Sequence, residues 1–279
     1  MSNLSDLYPS GGGGTPINGL AQFANAPVLY DALDGGTYLQ AGNISTDIAT
    51  YPDALFINSL AYVLFLQDFS VASQDTSPSG IFFRADGLKM YMVGFTYDKV
   101  YEYDLSTAWN ISTAVYLQDF SVVSQDGAPL GIFFKSDGLK MYMVGNTGDK
   151  VYEYDLSTAW NISTAVYLQD FSVASQEIVP QGIFFKADGL KMYMVGSTND
   201  KVYEYDLSTA WNITTAVYLQ DFSVASQDSN PSGIFFKADG LKMYMVGSLG
   251  DKVYEYDIPL ILGLSSATGL DANTYVRIK

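Results

Sequence analysis

The string GIFF begins at Gly80, Gly131, Gly182 and Gly233, and the string LQDFS at Leu66, Leu117, Leu168 and Leu219, each step being 51 residues. Near-identity over four copies constrains the fold more than any other feature of the chain. Each copy must be one supersecondary unit, too small to bury both of its faces alone and stacked against its neighbours to do so.

Each unit reads as four short strands. Strand A is Gly80–Arg84, and Ala85-Asp86-Gly87 turns it into strand B, Lys89–Val93, because Asp-Gly between apolar runs favours a tight hairpin. Gly94 stops strand B, a short turn ends at Asp98, and strand C runs from Lys99 to Tyr103. The longer connection DLSTAWNISTA, Asp104 to Ala114, leads to strand D, Val115–Phe120. Strands A and B are apolar on both faces, as strands between two neighbours are. Strand C alternates, with Val100, Glu102 and Asp104 on one side and Tyr101, Tyr103 and Leu105 on the other, and so reads as lying nearer the outside. Four-stranded antiparallel units of constant period predict an all-β, four-bladed β-propeller over residues 62–257.

The strands are staggered. A D-type segment, Val63 to Val71, precedes the first A strand, whereas the last C strand, Lys252 to Tyr256, runs into Ile258-Pro259 with no tryptophan loop behind it. The economical expectation is that the opening segment pairs with Lys252–Tyr256 and closes the ring, leaving no free edge. The alternative is that two chains pool their blades into a larger ring, and near-identical blades that can exchange make a homo-oligomer an open expectation.

Antiparallel order puts the D–A and B–C connections on one side of the ring and the A–B and C–D connections on the other. The chemically large differences between copies all fall on the first side. The D–A connection carries Thr76-Ser77, Gly127-Ala128, Ile178-Val179 and Ser229-Asn230, followed after a proline by Ser79, Leu130, Gln181 and Ser232. The B–C turn carries Phe95-Thr96-Tyr97, Asn146-Thr147-Gly148, Ser197-Thr198-Asn199 and Ser248-Leu249-Gly250. The loops of the other side hardly change. Thr76, Ser77, Phe95, Tyr97, Leu130, Asn146, Ile178, Gln181, Asn199, Asn230 and Leu249 are therefore the candidate ligand-binding residues, Phe95 and Tyr97 suiting carbohydrate or protein contact.

Composition narrows the chemistry. The 279 residues contain no Cys and no His, which removes disulfides, zinc sites built on those residues and every mechanism that needs an imidazole or a thiol. The net charge of −16 argues against a nucleic-acid partner or an anionic membrane. No stretch reads as a membrane span or a secretory leader. Asp86, Asp137, Asp188 and Asp239 recur in separate hairpin turns and read as turn formers rather than metal ligands. Asn110, Asn161 and Asn212 head formal glycosylation sequons that read as structural loops, as does Asn43-Ile44-Ser45, while Trp109, Trp160 and Trp211 read as packing between blades. Every blade carboxylate except Glu177 has a same-type copy elsewhere, so no single asymmetric catalytic site, cofactor site or metal site is expected.

The flanks read as a flexible arm over 1–14, with Gly11 to Gly14, and as a small β anchor module built from 15–61 and 258–279, with short strands at Pro27–Tyr30, Thr37–Ala41 and Tyr275–Ile278.

The core GIFFKADGLKMYMVGSTNDKVYEYDLSTAWNISTA resembles YVTN-type and WD40-like propeller repeats, which carry a similar F-x-x-D-G-x-x-M-Y-V run; the likeness covers 63–257. With Gly11 to Gly14, the segment ATYPDA at Ala49–Ala54 and the ending Tyr275-Val276-Arg277-Ile278-Lys279, the arrangement also resembles virion proteins of tailed, particularly marine, phages. That resemblance implies a tail-fibre, adhesin or capsid-surface protein on the particle. It would be held to other virion proteins through its terminal anchor and would present its propeller to a host surface glycan or protein. A structural decoration protein and a carbohydrate-active enzyme are the alternatives.

Overall fold

The computed structural model describes residues 66–258. The expected arm, the anchor module and its short strands, and the Asn43 sequon lie outside them. The described residues are all-β apart from three single 3₁₀ turns, and no helix among them is long and apolar enough to cross a membrane.

Blade one holds β1 (Pro78–Phe83), β2 (Lys89–Gly94), β3 (Lys99–Leu105) and β4 (Ala114–Ser121). Blade two holds β5 (Pro129–Phe134), β6 (Lys140–Gly145), β7 (Lys150–Leu156) and β8 (Ala165–Ser172). Blade three holds β9 (Pro180–Phe185), β10 (Lys191–Gly196), β11 (Lys201–Leu207) and β12 (Ala216–Ser223). Blade four holds β13 (Pro231–Phe236), β14 (Lys242–Gly247) and β15 (Lys252–Asp257). Each sheet is an antiparallel meander in chain order, and the four follow one another as blades of a propeller ring.

The hairpins form as their sequence directs. Asp86 Oδ1 accepts from the Leu88 amide at 3.0 Å, and Gly87 takes φ +72° to close the turn. The same carboxylate–amide bond recurs at Asp137, Asp188 and Asp239, which confirms the turn role of those four aspartates. Asn110, Asn161 and Asn212 each cap a 3₁₀ turn: the Asn110 side-chain oxygen accepts from the Ser112 amide at 3.1 Å and its hydroxyl at 2.7 Å.

Packing lies between blades. One face of blade one, with Phe82, Tyr91, Val93, Val100, Phe120 and Val122, meets Ile132, Phe134, Met141, Met143, Tyr152, Tyr154 and Ile162 of blade two. Blades two and three repeat the same set of contacts. Trp160 stacks 6.3 Å from Phe82 of the preceding blade and accepts the Tyr91 hydroxyl on its carbonyl at 2.6 Å; Trp211 does the same to Phe133 and Tyr142.

Two expectations are corrected. Strand C is third from the centre, nearer the outside as expected, but its alternation does not mark a half-solvated strand: Val100 and Glu102 are buried as fully as Tyr103. On that side Val100 and Glu102 face the next blade rather than water, and only Asp104 at the end of the strand stays exposed. A bulge at Glu102/Tyr103 sets Gln118 beside Glu102, whose carboxylate takes the Gln118 amide at 2.7 Å, the Lys89 ammonium, and the Ile162 amide of blade two at 3.1 Å.

Nor is the ring sealed by its opening strand. Residues 66–71 form no strand, and among the described residues the fourth sheet ends at β15. The opening segment instead sits on blade one, where a preceding blade's strand D would lie. Phe69 meets Tyr103 edge-on at 5.8 Å, as Phe120 meets Tyr154, and Gln67 donates to Asn110 as Gln118 donates to Asn161.

Candidate functional site

The D–A and B–C connections do share one side of each blade, and a buried carboxylate joins them. Asp75 Oδ1 accepts from the Ser77 amide at 2.8 Å and the Thr96 amide at 3.3 Å; its Oδ2 accepts from the Tyr97 amide at 3.1 Å and the Tyr101 hydroxyl at 3.3 Å. Asp126, Glu177 and Asp228 repeat the arrangement in the other blades. Burial pushes the Asp75 pKa up, but the amides of Ser77 and Tyr97 and the hydrogen bonds from Thr96 outweigh it and hold it below the usual carboxylate range. Asp228 is lowered in the same way, burial being outweighed by the amides of Asn230, Gly250 and Leu249.

The carboxylate needs room in strand B. A Cβ on Gly94 would stand 2.3 Å from the Asp75 carboxyl carbon, and the glycines ending β6, β10 and β14 face the same clash. Sequence reading passed over this staple because Asp75/Glu177 looks like a mild exchange in a variable loop. Its signal was an acid kept in all four copies, followed in the same blade by a glycine and a tyrosine at fixed offsets.

Above the staple stand the varied residues. Phe95 and Tyr97 are about half exposed, at 45% and 57%, on the B–C turn of blade one. Thr76 and Ser77 are exposed beside them, the Thr76 and Thr96 hydroxyls 3.1 Å apart, and the Phe95 amide donates to the Ser77 carbonyl at 3.0 Å. In the other blades Ile178, Asn199, Asn230 and Leu249 are exposed at the corresponding tips, while Asn146 is half-buried. The structure does not present Leu130 or Gln181 in this way. Leu130 packs into the core between blades two and three, and Gln181 donates to the Ser197 hydroxyl at 3.1 Å from a half-buried position. In blades two and three the residue after the proline lies at the start of the inner strand, where it is half-buried; Ser79 at the same place in blade one is exposed.

The side is acid-rich. Asp98, Asp149 and Asp200 end the B–C turns with φ near +50°, and their pKa values are raised by burial first and then by the staple carboxylates of their own and adjacent blades. One oxygen each of Asp98 and Asp200 is buried without a hydrogen-bond partner. Among the described residues no group of three or more acidic side chains has the spacing of a metal site. Two hollows lie elsewhere. One of about 450 Å³ is on the opposite side of blade three, between Lys186 and Val217, and one of about 240 Å³ lies on the open face of blade one.

No protein-family model matches the chain, and no curated protein does. Among solved structures it is similar to a Bacteroides uniformis protein named as a candidate 6-phosphogluconolactonase (15% identity, TM-score 0.48, 73% of this chain and 58% of that one). It is also similar to a functionally unknown protein of Desulfotomaculum acetoxidans (14%, TM-score 0.48, 72% and 60%) and to the periplasmic gluconolactonase PpgL of Pseudomonas aeruginosa (13%, TM-score 0.44, 64% and 49%). The chain spans about half to three fifths of the length of these proteins. Likeness at this level carries no inference about chemistry.

Proposed function

We propose that the propeller is a non-enzymatic recognition module whose stapled loops bind a host-surface glycan or protein, and that the chain acts as an adhesin on a phage particle. One observation carries the reading. Chemically large exchanges between otherwise near-identical blades gather at loop tips on one side, while the carboxylate, glycine and tyrosine that hold those loops stay in place. A fixed scaffold under varied tips is what a binding surface requires. The exposed aromatics Phe95 and Tyr97, with Thr76 and Ser77 beside them, suit stacking on a sugar ring with hydroxyls in reach. The surrounding carboxylates favour a neutral ligand over a sulfated or phosphorylated one.

The test is binding of the full chain to bacterial cells and to their neutral polysaccharides. Phe95→Ala combined with Tyr97→Ala should weaken binding about tenfold or more, the scale of losing two aromatic anchors. Leu190→Ala, on the opposite side, should leave it unchanged. No binding by the full chain, or equal binding by the double variant, favours a decorative role instead. Hydrolysis of a sugar lactone by the full chain would overturn the non-enzymatic reading.

A further inference from the structure

The first and last blades each leave one apolar face uncovered. Ile81 of blade one is 61% exposed where Ile132 and Ile183 are 5%. On blade four Val246 and Val253 are 42% and 53% exposed where Val144 and Val151 are fully buried, and Phe235 is exposed where Phe133 is packed. These faces are the two halves of the interface that already joins blade one to two and blade two to three, with the same residue types at the same places. The hollow of about 240 Å³ on blade one, lined by Phe69, Val71, Ile81, Met90, Met92 and Ile111, is where a preceding blade's phenylalanine and valines would stand.

The polar groups match as well. In complete blades Lys99 pairs with Asp119 at 2.9 Å and Gln118 donates to both Glu102 and Asn161. The opening segment holds the equivalent Asp68 and Gln67, and β15 holds the equivalent Lys252 and Glu255. Among the described residues Gln67 donates to Asn110 alone, and neither Asp68 nor Lys252 has an ion-pair partner.

We propose that a second copy of this chain covers these faces: blade four of one copy packs on blade one of the other, and the opening segment resting on that blade adds the missing fourth strand to β15. Two such seams, related by a two-fold axis, make one ring of eight blades, within the usual range of about four to eight. The chain's own blade one is the poorer occupant. A Cβ on Gly80, Gly131 or Gly182 would lie 2.6 to 3.1 Å from a carbonyl of the next inner strand, whereas on Gly233 it would meet only Val246 of its own blade. Three repeats of the interface thus leave blade four short of blade one. Closure within the chain would require those three interfaces to change, whereas a second copy can repeat the same interface at each seam. The inference is independent of what the loop side binds.

The chain has no cysteine, so a designed pair reports cleanly. Lys99 and Ser121 are Cα partners in blade one, which makes Lys252 and Ser70 the partners across the seam. The full-length Ser70→Cys, Lys252→Cys variant should oxidise to a chain-to-chain dimer. The unmodified chain should scatter light at about twice 30.5 kDa. Val253→Asp and Ile81→Asp, each alone, should be monomeric, and the two mixed should recover one intact seam and a dimer. A monomeric unmodified chain, an open-ended assembly larger than a dimer, a disulfide closing within one chain, or dimerisation by either single variant overturns the proposal. The crosslink still separates the two outcomes if an aspartate variant fails to fold.

Discussion

At the residue scale, one position in four separates two costs that usually coincide. Gly138 takes φ +73° in its hairpin and lies under the ring of Trp160, so that a Cβ there would stand 2.4 Å from the indole. Gly240 has the same φ and the same turn, with nothing within 4 Å, because the tryptophan loop is absent after β15. Gly240→Ala should therefore cost only the left-handed backbone penalty, about 1 kcal/mol. Gly138→Ala adds an overpacked contact worth roughly 2 kcal/mol more, since the indole must leave its stack on Phe82 and Phe134. Chemical denaturation of the two variants under one condition measures the difference, and equal costs would mean that the tryptophan adds nothing to the turn.

At the element scale, the strand C acids join one blade to the next. Glu153 is buried and accepts from the Gln169 amide at 2.7 Å and from the Ile213 amide of blade three at 3.3 Å, beside the Lys140 ammonium. Its copy Glu255 is one-third exposed and, among the described residues, pairs only with Lys242. Glu153→Ala should cost about 3 kcal/mol, the low end for breaking a buried pair, because Asp155 still holds the lysine at 2.7 Å. In a Val253→Asp background, where the seam stays open, Glu255→Ala should cost under about 1 kcal/mol, as exposed ion pairs do. Urea midpoints of the two variants check the contrast. The strands themselves were legible, because Asp-Gly turns, terminal glycines and the fixed period mark each one in the sequence. The burial of Glu102 and Glu153 was not, since a polar residue in an alternating strand reads the same whether it faces water or a neighbour's backbone amide. The loop side of the candidate site was legible from comparing copies. Leu130 and Gln181 were misplaced within it, because nothing local says that the residue after the proline turns inward.

At the scale of the whole molecule, the blades have equal sequences and unequal surroundings. How far four blades carry the chain around a ring is a sum of interblade rotations, and no single residue encodes it; the unsealed seam was invisible for that reason. Stability in such an array follows the number of covered faces. Blades two and three have both faces covered; blades one and four have one. In the Val253→Asp variant, amide hydrogen exchange should be slowest in β6, β7, β10 and β11 and faster in β1 and β13–β15, because strands at an open face can open without unfolding the rest. In the unmodified chain, protection of β13–β15 should rise with protein concentration while that of β6 and β7 stays constant. Concentration acts only where association covers a face, so a uniform rise across all four blades would place the stabilising contact elsewhere than at the seam.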